Sequence, residues 1–193
     1  MKRICVFCGS NVGANPAFLQ AAEKVGVFLA DQNIELVYGG GRIGLMGKIA
    51  DTVLAAGGIV IGVIPESLAV KEVAHQSLTE LRVVDSMHTR KAMMAELADG
   101  FIALPGGFGT FEEFCEIVTW AQLGIHRKPC ALLNVEGFYD NLLTMFDWAT
   151  AQNFIADEHR RLVLSETEIE KLYELMVNFR PPAIEKWLDK KST

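Results

Sequence analysis

The chain has 193 residues, half of them hydrophobic and 22% charged, which suits one folded unit with a sizeable core and excludes a disordered segment. Its formal net charge of −6 argues against nucleic acid or an anionic membrane as partner, so any phosphate it binds must be held by local groups. No apolar run approaches the roughly 20 residues of a membrane span and no leader pattern precedes the first apolar run, so the expected location is the cytoplasm.

In chain order, short β-rich runs alternate with longer helical patterns. Residues 3–8 read as a first strand, 16–32 as a helix, 35–38 as a strand and 45–56 as a helix. The run 59–64 is apolar on both faces, as expected of an interior strand of a parallel sheet covered by helices. Residues 65–80 are polar, lack a period and are too long for an ordinary connection, which suggests an active-site loop. A strand at 81–84, a helix at 89–98, a strand at 101–104 and a helix at 110–124 follow. The last predicted elements are a strand at 130–134 and helices at 138–152 and 166–179, ended by Arg180-Pro181-Pro182. Such alternation predicts right-handed βαβ units in an α/β fold with a doubly wound open sheet.

Cys5 and Cys8 form a C-x-x-C, but on a strand residues three apart point to opposite faces and lie about 10 Å apart, so both are expected to be buried apolar thiols. His75, His88, His126 and His159 show no metal-ligand spacing, so no metal site is expected.

In open α/β sheets ligands bind beyond the carboxyl ends of the strands. Three strand ends carry unusual residues: Cys8-Gly9-Ser10-Asn11, Gly39-Gly40-Gly41-Arg42-Ile43-Gly44, and Pro105-Gly106-Gly107-Phe108-Gly109-Thr110. Each of the last two runs into a helix, where free N–H groups and the positive dipole end suit a phosphate. One such turn is often only turn chemistry; two in one short chain point to a nucleotide or phosphate ligand. Thr110 is expected at the helix N-cap, serving either the helix or a phosphate oxygen. Neither turn is a P-loop, and no acidic residue stands where a dinucleotide ribose would need one. The pair Glu112-Glu113 sits in the next helical turn. The helix dipole alone explains one acid there, while a carboxylate one ribose away from a bound phosphate is also placed to stabilise an oxocarbenium-like sugar or activate water. Arg90-Lys91 is expected at a helix start, where cations oppose the dipole; it is a candidate site or a solvated basic pair.

Together these motifs resemble the Lonely Guy family. Pro105-Gly106-Gly107-Phe108-Gly109-Thr110-Phe111-Glu112-Glu113 is similar to its P-G-G-x-G-T-x-x-E signature, and the likeness extends to the glycine-rich run at 39–47, to Met87-His88-Thr89-Arg90-Lys91 and to the run 119–126. It covers residues 1–180 and leaves 181–193 as a tail. The resemblance implies a Rossmann-like, single-domain homodimer without metal or redox cofactor. It implies hydrolysis of the N-glycosidic bond of AMP or an N6-modified AMP, as in cytokinin riboside 5′-monophosphate phosphoribohydrolases and bacterial AMP nucleosidases. Arg90 and Glu113 would then be the catalytic pair, each expected to point into a solvent-filled cleft. Substrate contacts would fall on Glu72, Arg90, Lys91, Gly107, Phe108, Gly109, Thr110, Phe111, Glu112, Glu113 and Thr119. Family members have been labelled lysine decarboxylases, for which the sequence offers no pyridoxal-phosphate lysine motif. A non-catalytic nucleotide sensor or cofactor carrier is the alternative, and retention of both Arg90 and Glu113 speaks against it.

Overall fold

The computed structural model describes residues 1–69 and 74–182. Seven parallel strands form one sheet: β1 (Arg3–Phe7), β2 (Glu35–Tyr38), β3 (Val60–Pro65), β4 (Glu80–Val84), β5 (Gly100–Ala103), β6 (Cys130–Leu133) and β7 (Val163–Glu166). Their order is β4-β3-β2-β1-β5-β6-β7, so the chain winds outward from β1 first in one direction and then in the other. This is the doubly wound α/β arrangement that the alternation predicts.

Side chains alternate across the sheet with a period of two. Ile4, Val6 and Cys8 enter one core with α1 (Pro16–Asp31), α2 (Gly44–Ala55) and α8 (Ile169–Asn178). Cys5 and Phe7 enter the other with α4 (Met87–Leu97), α5 (Phe108–Gln122) and the apolar side of α6 (Asp140–Ala151). The two thiols of the C-x-x-C therefore lie buried on opposite faces, as the strand geometry requires. Among the described residues, α3 (Glu66–Ala69), α7 (Asp157–Arg160) and a 3-10 turn at Val135–Gly137 are the remaining helical pieces.

Two expectations need correction. The seventh strand was not anticipated, and Glu166, expected to begin a helix, ends β7 opposite Leu133 while α8 starts at Ile169. An edge strand is buried on one flank only, and Val163-Leu164-Ser165-Glu166 carries too little apolar signal to announce itself. Residues 65–80 are also not wholly irregular: Pro65 closes β3, α3 follows, and Ala74 bridges to Gly41.

Candidate active site

The order of strands reverses between β1 and β5, and there the loops after both strands meet. Gly9 N–H donates to Pro105 O at 3.0 Å, while Gly9 O accepts from Leu45 N and Met46 N at the start of α2 (3.0 and 3.4 Å). Gly44, with φ of +64°, lets that helix approach, since a Cβ on it would overlap the Ser10 backbone. The N-terminus of α2, expected to hold a phosphate, is thus closed by the protein's own carbonyl.

α5 is different. Its cap is exposed Gly107, which offers no side-chain bond, and Phe111 N–H donates back to Gly107 O. The amides of Phe108, Gly109 and Thr110 precede any possible acceptor within the helix, and space opens beside Gly107 and Gly109. One helix N-terminus is therefore available to an anion. Thr110 is its third residue, not its N-cap, because helical geometry starts three residues earlier than the threonine suggests. Its hydroxyl is packed over Gly106, where a Cβ would overlap it. Beside Gly107 the β1–β5 crevice holds a cavity of about 190 Å³, walled by Phe18 and Phe138, whose rings meet edge-on at 5.6 Å. These apolar walls were not foreseen, since Phe18 and Phe138 read as ordinary helix-face residues.

Arg90 and Glu113 come together between α4 and α5, with Nη1 and Oε1 3.5 Å apart. Neither points into open solvent as expected: their side chains are only 10% and 12% exposed. Arg90 Nε donates to Val63 O at 3.1 Å and Nη2 to Gly39 O at 3.4 Å. A Cβ on Gly39 would overlap Nη2, so any larger residue there would displace the guanidinium. Arg90 and Lys91 are the fourth and fifth residues of α4, whose N-cap Ser86 accepts from Thr89 N–H. They lie past the turn where the dipole acts strongly, so burial and not a broken dipole rule singles Arg90 out. Desolvation pushes the Glu113 carboxyl above its ordinary range; Arg90 opposes that shift, and Glu112 and Glu116 add to it.

Lys91 Nζ bonds Glu112 at 2.5 Å and Glu116 at 3.0 Å. Burial alone would lower its pKa, but the two carboxylates outweigh that and raise it, so the amine stays charged. The sequence reading missed Glu116, although its place three residues after Glu113 puts it on the same helix face. Phe108 is 93% exposed at the mouth of the crevice, whereas Phe111 packs against Phe138 and Tyr139. Thr119 is not brought to the pair; exposed two turns further along α5, it donates to Cys115 O and lines a separate cavity with Phe146 and Arg160. Glu72 lies outside the described residues. Among the described residues, no cluster of three or more His, Cys, Asp or Glu side chains is arranged to hold a metal ion, and no helix is long and apolar enough to cross a membrane.

A family model described as "possible lysine decarboxylase" matches residues 46–176. The cytokinin riboside 5′-monophosphate phosphoribohydrolase LOG7 of Arabidopsis thaliana is 48% identical over 180 residues, covering 93% of this chain and 83% of that protein. The enzyme LOG of Oryza sativa subsp. japonica is 49% identical, over 93% of this chain and 74% of that protein. Among solved structures, the molybdenum cofactor binding protein of Rippkaea orientalis superposes with a TM-score of 0.69 at 23% identity, over 92% of this chain and 97% of that one. The molybdenum cofactor carrier protein of Chlamydomonas reinhardtii does so at 0.66 and 18%, over 92% of this chain and 98% of that one. Those two likenesses speak to the fold alone. With half its residues shared with the plant enzymes across nearly its whole length, the chain belongs to the Lonely Guy family.

Proposed function

We propose that the protein hydrolyses the N-glycosidic bond of a purine nucleoside 5′-monophosphate, AMP or an N6-modified AMP, to free base and ribose 5-phosphate. Family membership supports the reaction class. The observation that carries the reading is the buried Glu113–Arg90 pair set just beyond a free helix N-terminus. The 5′-phosphate sits on the amides of residues 107–110, and the ribose then spans the first turn of α5 toward Glu113. Glu113 stabilises positive charge on C1′ and accepts a proton from the attacking water, whose oxygen bonds C1′ as the C1′–N bond breaks; the departing base keeps the bonding pair and takes up that proton. Its upward-shifted pKa makes it a stronger base than an ordinary glutamate. Arg90 stays charged and acts electrostatically. Its Nε and Nη2 are occupied by carbonyls, so the Nη1 edge beside Glu113 faces the reaction and stabilises negative charge developing on the leaving base.

Lysine decarboxylation draws no support from the site. A Schiff-base lysine must be available as a neutral amine, and Lys91 is held charged by two carboxylates. We take the working form to be a homodimer, because α6 has no fully buried residue and leaves Met145 and Trp148 exposed, with Phe154 87% exposed just beyond it. Four unpaired cysteines, one of them exposed, suit a reducing cytoplasm. The test is to incubate the purified protein with AMP and with adenosine and to quantify adenine by chromatography. AMP should be cleaved with a much higher kcat/KM than adenosine, whose lack of phosphate forfeits the α5 contacts. Equal values, or no free base from AMP or its N6-modified forms, would refute the reading.

A further inference from the structure

The turn Gly39-Gly40-Gly41 has no side chains with which to hold its own shape, and Gly40 sits in the left-handed region with φ of +74°. Yet its Gly39 carbonyl must aim at Arg90 Nη2. The shape is imposed from outside. Ala74 pairs with Gly41 in an isolated antiparallel bridge, and His75 N–H donates to Gly40 O at 2.9 Å. The His75 ring is itself tied at both ends. Its Nδ1 accepts from Ser77 N–H at 3.2 Å, which leaves the ring proton on Nε2, donated to Asp51 Oδ1 at 2.9 Å. Asp51 stands on α2 with a side chain 68% exposed, while His75 is buried. Hydrogen bonds thus run from an outward carboxylate on α2, through the His75 ring and backbone, to the peptide next to the one that braces Arg90.

We propose that His75, held by Asp51, is a positioning residue: it fixes the glycine turn so that the Gly39 carbonyl holds the Arg90 guanidinium in register with Glu113. The inference rests on the reading that Arg90 and Glu113 act on the nucleotide. A merely structural clasp would cost stability when cut and leave the chemistry of surviving molecules unchanged. A positioning clasp would lower kcat while leaving KM nearly alone, because the phosphate grip on α5 is elsewhere.

Three variants separate these. His75→Gln keeps an N–H that reaches Asp51; His75→Asn keeps an acceptor for Ser77 N–H but cannot reach Asp51; Asp51→Ala cuts the clasp at an exposed residue and leaves the core intact. With AMP as substrate, His75→Asn and Asp51→Ala should each lower kcat about tenfold with KM within about twofold, since small displacements of a reacting group are costly. His75→Gln should recover most of that loss. The double variant His75→Asn/Asp51→Ala should be no slower than either single one, as two cuts in one connection are not additive. Hydrogen exchange at the Arg90 guanidinium, followed by NMR, gives a readout independent of turnover, and it should quicken in both cut variants. Unchanged kcat with a lowered melting temperature, additive losses in the double variant, or unaltered guanidinium exchange would each overturn the proposal. Should the wild type fail to cleave any nucleoside monophosphate, the functional reading above falls and the exchange measurement alone decides the clasp.

Discussion

Replacing Arg90 by alanine tests whether the guanidinium is a brace as well as a reaction-site charge. The truncation strands two carbonyls, Val63 O, which accepts at 3.1 Å, and Gly39 O, which accepts at 3.4 Å. A buried acceptor stripped of its donor costs about 1–3 kcal/mol, and the longer bond belongs at the low end. Glu113 also loses the cation 3.5 Å away, and breaking a buried ion pair from one side costs about 3–5 kcal/mol when water stays out. A hole beside the ligand crevice admits water, which brings the total to about 3–4 kcal/mol. At about 2–4 °C per kcal/mol for a chain of this size, the melting temperature should fall by about 6–16 °C. The pH dependence separates the two shares. Burial already raises the Glu113 pKa, and losing Arg90 raises it further. A carboxyl with a raised folded-state pKa favours the folded state while protonated and loses that contribution as pH rises through the folded pKa. Below the wild-type value Glu113 is neutral in both proteins and only the carbonyl share remains. Above it the wild type ionises against Arg90, whereas the variant still holds its proton, so the gap in stability widens. Circular-dichroism melts of both proteins across a pH series measure this. A melting temperature within about 2 °C of wild type throughout would show that the guanidinium braces nothing, and a gap that narrows with rising pH would refute the ion-pair share.

Glu113→Gln should lower kcat for AMP by roughly two to four orders of magnitude with little change in KM, while Glu112→Gln stays near wild type because Lys91 keeps Glu116; adenine release measures both, and the reverse order would misplace the catalytic carboxylate. The acid limb of kcat/KM should fall at an apparent pKa above the ordinary glutamate value of about 4.3, since Glu113 must ionise against burial to act; a limb at or below that value refutes its role. Gly106→Ala should lower the melting temperature by an amount equivalent to about 1–3 kcal/mol, because the new methyl overlaps the Thr110 hydroxyl. Gly107→Ala, which meets open space, should melt with the wild type, and equal melting of the two would contradict the packing at Gly106.

Periodicity and apolar runs foretold six of the seven strands within a residue or two, since interior strands such as Val60–Pro65 have no polar face to blur the signal. β7 escaped because its half-buried edge position asks little of its side chains. At the site, the sequence carried the α5 turn and the Arg90–Glu113 pairing by family motif. It did not carry the fate of the second glycine turn. That depends on Gly9 O reaching Leu45 and Met46 from 36 residues away in sequence, a contact no local pattern encodes. The burial of Arg90 was hidden for the same reason, as its acceptors lie on β3 and after β2. Thr110 was put in the wrong helical position because Gly107 caps the helix without any side chain to mark the start.

The peptide groups at Gly9 join parts that a two-lobed enzyme would keep free to move. Its N–H is fastened to the loop after β5, and its carbonyl to the helix that leads from β2 to β3. Swinging the half that begins at β5 away would break the bond to Pro105, and shifting α2 would break the two bonds to Gly9 O. The floor of the crevice is therefore fixed, and on the proposed function a nucleotide would enter and leave past its exposed rim, Ser10, Asn11 and Val12 on one side and Gly107, Phe108 and Gly109 on the other. On that proposal any slow opening step in turnover would belong to those short rim segments, and the nucleotide would meet a binding surface that is already formed.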